Sequence, residues 1–246
     1  LRLICNFDFE GELVLPANYN QILQGFIYNN LTNEVLRTFI HEIGFKKGKR
    51  KYKMFTFSRL LGRFQYIRAD KTIKFHPPIQ LHISSLIDDL VNDITTTFFK
   101  SNDLFLKDKQ INLVSVNVKS PDFKSRQVKI DMLSPIVVYS TLTVNGQKKT
   151  IYYSPLDPLF SRHVKNNALR KYSALYGKIP DDEEFEIYYT ENTEPKPIIT
   201  TYHNTIVKGS LGSFILKGNP ELIKFTYFTG LGSKNSQGFG CFEIRN

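Results

Sequence analysis

Leu1, Leu3, Cys5, Phe7 and Phe9 alternate with Arg2, Asn6 and Asp8, and this two-residue period predicts a half-buried strand. Pro16-Ala17-Asn18 then opens a helix, with Asn18 as N-cap and Gln21 three residues on. Its apolar stripe is Tyr19, Ile22, Leu23, Phe26 and Ile27, and Tyr28 points away from it. A second helix is predicted from a Thr32 cap to a stop at Gly44. Val35, Leu36, Phe39, Ile40 and Ile43 form its apolar face. His41 falls on the opposite face with Glu34, Arg37, Thr38 and Glu42. Strands are predicted over 51–58, 64–69, 72–76 and 80–84, then a helix over 86–99 and a strand over 111–118.

The polar stretch Lys119-Ser120-Pro121-Asp122 marks a boundary, and the order of elements recurs after it. Strands are predicted over 128–132, 135–143 and 150–154. A helix follows from an Asp157 cap and Pro158 to Gly177. Strands over 184–190, 198–207 and 212–217, a short helix over 220–228 and a last strand over 241–244 complete the chain. Each half reads β-α-β-β-α-β, so the expected fold is α+β: two tandem ferredoxin-like (RRM-like) domains, 1–120 and 121–246. No residue-level repeat relates the halves, and the fold by itself names no function.

Charge changes the picture. Lys and Arg number 33 against 23 acids, a net +10, which favours a polyanionic partner such as nucleic acid. Cys5 and Cys241 are the only cysteines, too few for a disulfide framework or a four-cysteine zinc site. With no apolar run near the ~20 residues of a membrane span, no membrane association is expected, and the expected location is the cytoplasm. No His, Cys, Asp or Glu cluster has metal-ligand spacing, so neither metal nor cofactor is expected.

The segment 230–240, Gly-Leu-Gly-Ser-Lys-Asn-Ser-Gln-Gly-Phe-Gly, sets four glycines in two pairs before the last strand. Glycine permits positive φ and close backbone approach, and such a loop can aim N–H groups at a phosphate. Its spacing is neither a dinucleotide fingerprint nor a P-loop. The pattern Gly-x-Gly-x5-Gly-x-Gly resembles the signature of the CRISPR-associated, Cas-six-type repeat-processing endoribonucleases of the RAMP superfamily. In the N-terminal half the resemblance includes Leu15-Pro16, Phe26-Ile27-Tyr28, His41-Glu42 before Gly44-Phe45, and the run from Phe55 to Leu60.

The resemblance implies metal-independent cleavage of CRISPR repeat RNA in precursor transcripts, yielding guide RNAs. The 2′-hydroxyl beside the scissile phosphate is the nucleophile, and the products are a 2′,3′-cyclic phosphate and a 5′-hydroxyl. Histidine suits the proton transfers because its ordinary pKa of about 6.5 lies near working pH. In the family a histidine of this region acts as acid or base, often with a tyrosine on the first helix and a nearby lysine. His41 and Tyr28 match the first two. Lys46, Lys47, Lys49, Lys51 and Lys53 are all candidates for the third, and spacing selects Lys47. Six basic residues in the eight of 46–53 read as a phosphate-contacting edge, with Lys49, Arg50 and Lys53, joined by Arg59. Gly230, Gly232, Ser233, Lys234, Asn235, Gly238 and Gly240 are expected to grip the RNA backbone. The remaining histidines carry less: His76 and His82 fall on strands, His203 in a turn or strand, and His163 on a polar helix face. The alternative is a non-catalytic RNA-binding subunit of a CRISPR ribonucleoprotein. Homodimerisation and membership of an effector complex are left open.

Overall fold

The computed structural model describes residues 1–101, 103–190 and 194–245. The first half runs β1 (Arg2–Asp8), β2 (Leu13–Pro16), α1 (Asn20–Asn29), α2 (Glu34–Thr38), a π-helical turn (Phe39–Ile43), β3 (Phe45–Lys47), β4 (Arg50–Tyr52), β5 (Phe55–Phe57), β6 (Leu61–Ile67), β7 (Thr72–Ser85), α3 (Asp88–Lys100), β8 (Leu104–Leu106) and β9 (Lys109–Lys119). β1 lies between β7 and β9, and β5 and β6 pair with the far side of β7, all antiparallel. Counting only the four strands of the ferredoxin plan, the order is fourth-first-third-second. α1 and α3 cover one face because their apolar residues recur at helical spacing. Leu23, Phe26 and Ile27 on α1 and Leu90, Val91, Ile94 and Phe98 on α3 are buried in the same core. Phe7, Phe26 and Phe98 pack ring to ring at centroid distances of 5.3–5.9 Å.

The second half runs β10 (Gln127–Met132), β11 (Tyr139–Val144), β12 (Gln147–Tyr152), α4 (Phe160–Tyr176), β13 (Phe185–Tyr189), β14 (Lys196–Tyr202), β15 (Thr205–Leu211), β16 (Ser213–Gly218), α5 (Pro220–Thr229) and β17 (Phe242–Arg245). The sheet order β13-β16-β10-β17 is the same ferredoxin plan, here covered by α4 and α5. Three hairpins, β3–β4, β11–β12 and β14–β15, stand outside the two main sheets.

The sheets meet along the start of β1, and here the structure departs from a half-buried strand. Arg2 and Ile4 are buried as well as Leu3 and Cys5. The second half covers the face that alternation assigned to solvent. Arg2 donates to the Phe242 carbonyl (2.6 Å), the Tyr227 carbonyl (2.9 Å) and the Ser84 hydroxyl (2.6 Å), and its guanidinium lies 3.5 Å from the Tyr227 ring centre.

Other expectations shift for local reasons. The first helix starts at Asn20 rather than after an Asn18 cap, and the Asn20 side chain reaches the glycine loop. Asn33, not Thr32, caps α2 by accepting from the Leu36 N–H (3.0 Å), while Thr32 is tied to the Asp93 carboxylate. The segment 72–84 forms one strand, and 198–207 forms a hairpin turning at His203-Asn204.

Candidate active site

The helix carrying His41 changes pitch before reaching it. Over Phe39–Ile43 the backbone is π-helical, with the Gly44 N–H bonded to the Phe39 carbonyl (2.8 Å). The extra residue per turn rotates the ensuing side chains off the α-helical stripe. Ile43 is thereby exposed, while Ile40 is buried and Leu36 and Phe39 half-buried as the predicted apolar face requires; Val35, before the turn, is exposed as well. His41 remains exposed, as its position on the polar face predicts. Gly44 ends the turn with φ of 60°; a Cβ there would lie 2.7 Å from the Tyr52 carbonyl oxygen.

Two lysines then close the helix end. Lys51 donates to the Glu42 carbonyl (2.8 Å) and Lys53 to the His41 carbonyl. Both satisfy carbonyls that a helix leaves open and place positive charge at its negative end. Burial, and then Lys51, lower the Lys53 pKa. Of the five lysines weighed from sequence, Lys53 is thus the one bonded to the backbone of His41. Lys47 lies exposed on β3, opposite Arg50, away from the residues that line the His41 cleft.

Tyr28 is not solvent-facing. It is half-buried, edge-on to His41 at a centroid distance of 5.1 Å and edge-on to Phe55 at 6.0 Å. Burial, and then Tyr202, push its phenol above the ordinary value, so it stays a proton carrier at neutral pH. Gln24, Tyr28, Arg37, His41, Glu42 and His203 are among the residues lining a cleft of about 500 Å³.

The glycine loop packs against α1 and β5. Its four glycines are buried and all have positive φ, between 66° and 84°. A Cβ on Gly240 would lie 2.0 Å from the Leu231 carbonyl oxygen, and one on Gly238 would lie 2.5 Å from the Phe57 ring. The N–H groups of Gly230, Gly238 and Gly240 are bonded to Thr226, Asn235 and Pro135 carbonyls. The glycines therefore shape the loop and seat it against β5, and Gly232 also lines the cleft beside it. Asn235 is equally committed: its amide donates to the Leu231 and Phe239 carbonyls, and its oxygen accepts from Lys171. Asn20 and Gln24 bond loop carbonyls from α1, with Gln24 reaching Ser236 at 2.7 Å.

What the loop presents is the arc from Ser233 to Gln237. That arc lines a second cleft of about 430 Å³ with Arg50, Lys51, Lys53 and Lys171. Lys234 reaches 5.7 Å from the Tyr139 ring centre. Lys49 is exposed in the β3–β4 turn beside this cleft's Arg50. Arg59 lies elsewhere, 5.8 Å from the Tyr19 ring centre, in a third cleft with Phe64, Tyr66 and Lys71.

Lys171 is a site residue that sequence reasoning missed. It is buried, its pKa is driven down to about 7 by burial, and its ammonium reaches the Thr229 and Gly230 carbonyls and Asn235. Its signal is a lysine within the apolar stripe of α4, beside Val164, Ala168 and Tyr172. His163 stacks on Tyr153 at 4.2 Å, and His82 is buried. Among the described residues no group of three His, Cys, Asp or Glu side chains is placed to hold a metal ion. No helix among them is long and apolar enough to cross a membrane.

Comparison with known proteins places this arrangement. Residues 118–244 match the family described as CRISPR associated protein Cas6, C-terminal. A protein of Pyrococcus furiosus named as a CRISPR-associated endoribonuclease-like Cas6 is 28% identical over 236 residues, covering 94% of this chain and 92% of that one. The CRISPR-associated endoribonuclease Cas6 1 of Methanocaldococcus jannaschii is 26% identical over 243 residues, covering 98% and 91%. The solved structure of a Cas6-related gene product of Pyrococcus furiosus superposes with a TM-score of 0.86 at 25% identity, over 100% and 98% of the two chains. That of an RAMP protein binding different RNA substrates superposes at 0.82 and 22% identity, over 100% and 99%, a likeness of fold. With the family match spanning half of the chain and the tandem ferredoxin-like plan shared throughout, this chain belongs to the Cas6 family of CRISPR-associated proteins.

Proposed function

We propose that this protein is an endoribonuclease that binds CRISPR repeat RNA in precursor transcripts and cuts it without a metal ion. The observation that carries the reading is His41, exposed at the mouth of a cleft and edge-on to a half-buried tyrosine. Relatives 26% identical over nearly the whole chain are named endoribonucleases, which supports the same class of reaction.

In this reading the substrate's 2′-hydroxyl attacks the adjacent phosphorus, the bond to the 5′ oxygen breaks, and a 2′,3′-cyclic phosphate and a 5′-hydroxyl result. His41 transfers a proton, a role that imidazole fills near neutral pH. The Tyr28 phenol, kept protonated by burial, donates a hydrogen bond to the reacting phosphate. Lys53 takes the place that spacing gave to Lys47, as the residue that fixes the His41 backbone. Arg50, Ser233 and Lys234, with Lys49 at the rim, contact the RNA backbone along the cleft beside the glycine loop.

The test is single-turnover cutting of repeat RNA in EDTA. The wild type cuts, an RNA with 2′-deoxy at the scissile position is not cut, and His41→Ala slows cutting roughly 10²–10⁴-fold while still binding. Cleavage of the 2′-deoxy RNA would overturn the mechanism. Binding without any cutting by the wild type would instead favour a non-catalytic RNA-binding subunit, a reading that the endoribonuclease-like name of one relative keeps in play.

A further inference from the structure

The cleft that holds His41 contains a second imidazole, supplied by the other half of the chain. His203 and Asn204 form the two-residue turn between β14 and β15, with φ of 43° and 59°. Positive φ at both central residues is the twist-matched turn of a tight hairpin, so His203 is presented by a short, defined support. That support is anchored. The Tyr202 hydroxyl donates to the Gln24 side-chain oxygen on α1, four residues before Tyr28. The Tyr152 hydroxyl donates to the Ile206 carbonyl (2.8 Å). At the base of the hairpin, Ile136 and Ser210 exchange backbone hydrogen bonds of 2.9 and 3.0 Å. His203 is exposed, and it lines the same cleft of about 500 Å³ as His41 and Tyr28.

Cleavage by the 2′-hydroxyl needs two proton transfers. One group accepts the 2′ proton as the new oxygen–phosphorus bond forms. Another delivers a proton to the 5′ oxygen as its bond to phosphorus breaks. In-line displacement puts these two oxygens on opposite sides of the phosphorus, so one side chain cannot easily serve both. Tyr28 is a poor partner for His41 because burial raises its pKa. Lys53 is spent on the His41 carbonyl. Imidazole is the side chain whose ordinary pKa suits either transfer.

We infer that His203 is the second proton-transfer group, forming with His41 an acid–base pair that spans the two halves. The inference rests on the endoribonuclease reading above. In the step, one imidazole gains the 2′ proton and becomes cationic while the other, initially protonated, loses its proton to the departing 5′ oxygen. The pair thus carries one proton before and after. The charged and titratable groups facing the cleft are Arg37 and Glu42 beside His41, Tyr28 on α1 and Tyr202 next to His203, with Lys53 at the His41 carbonyl.

The test compares wild type, His203→Asn and His41→Ala in single-turnover cutting of repeat RNA across pH 5–9, with binding measured separately. Asparagine tolerates the left-handed backbone that position 203 adopts and cannot shuttle a proton, so the hairpin is preserved. The expected result is a roughly 10²–10⁴-fold slower step for His203→Asn at saturating protein, with affinity within about threefold. The two-limbed pH–rate profile of the wild type loses one limb. Wild-type speed and both limbs in His203→Asn overturn this inference alone, as does a slow rate that saturating protein restores. A wild type that binds but never cuts overturns the endoribonuclease reading and this inference together.

Discussion

At the scale of single residues, the joint between the sheets buries a titratable side chain. His82 on β7 is buried, its Nε2–H donates to the Gln80 side-chain oxygen at 2.6 Å, and its Nδ1 has no hydrogen-bond partner. Burial first, then Arg2, depress its pKa to about 4, even though the Glu243 carboxylate 3.8 Å away pulls the other way. The folded protein therefore refuses a proton that the unfolded chain accepts near pH 6.5. The stabilisation is full above pH 6.5 and is lost as pH falls towards 4, on the order of 3 kcal/mol in total. Urea unfolding at pH 7, 5.5 and 4.5 checks this, and His82→Gln flattens the fall in that window. Arg2, Lys171 and His82 were not legible as structural residues. Arg2 and Lys171 make their defining contacts with segments remote in sequence, such as Tyr227 and Phe242 for Arg2, and the burial of His82 depends on packing that no local pattern shows.

Among the elements, the glycine loop was legible as a pattern, but its packing was not. Its glycines lie where Val137, Thr56 and Phe57 crowd the backbone, and no local reading can reveal those neighbours. Gly240→Ala places a left-handed alanine against the Leu231 carbonyl, and roughly 2–5 kcal/mol of stability is lost. Gly146→Ala, also at positive φ but with nothing within 4 Å, costs about 1–2 kcal/mol. Unfolding midpoints of the two variants separate packing from backbone strain. A similar limit applies after α2: a 3.6-residue period cannot foresee the π-helical turn, so Ile43 was misplaced while Ile40 and the exposed His41 were not. Helices α3 and α5 fell within two residues of their predicted bounds because their apolar stripes are local, and Asn219 caps α5.

For the whole molecule, the tandem ferredoxin-like plan was readable because its strand and helix order is written in short periodic segments. The docking of the halves was not. It uses the loop after α5, which Asn20 of α1 and Thr56 of β5 hold by hydrogen bonds to its carbonyls. The net charge of +10 gathers usefully at the basic cleft, where Arg50, Lys51, Lys53 and Lys234 converge. Binding to single-stranded repeat RNA should weaken steeply with salt. Neutralising Lys49 and Arg50 together flattens the log–log slope by about 1.4, the expected change for two phosphate contacts. An unchanged slope removes both residues from the RNA path.

The anchorage of Arg2 also governs the order of assembly. Its guanidinium must find a carbonyl 240 residues further along the chain. At ~5–20 residues per second, synthesis spends about 10–50 s between the two. Throughout that interval β1 carries a cation whose final enclosure does not yet exist. The first sheet can form in the meantime, but the face of β1 that carries Arg2 stays wet until β17 arrives. Closure of β17 over Arg2 is therefore the late event that seals the two sheets together.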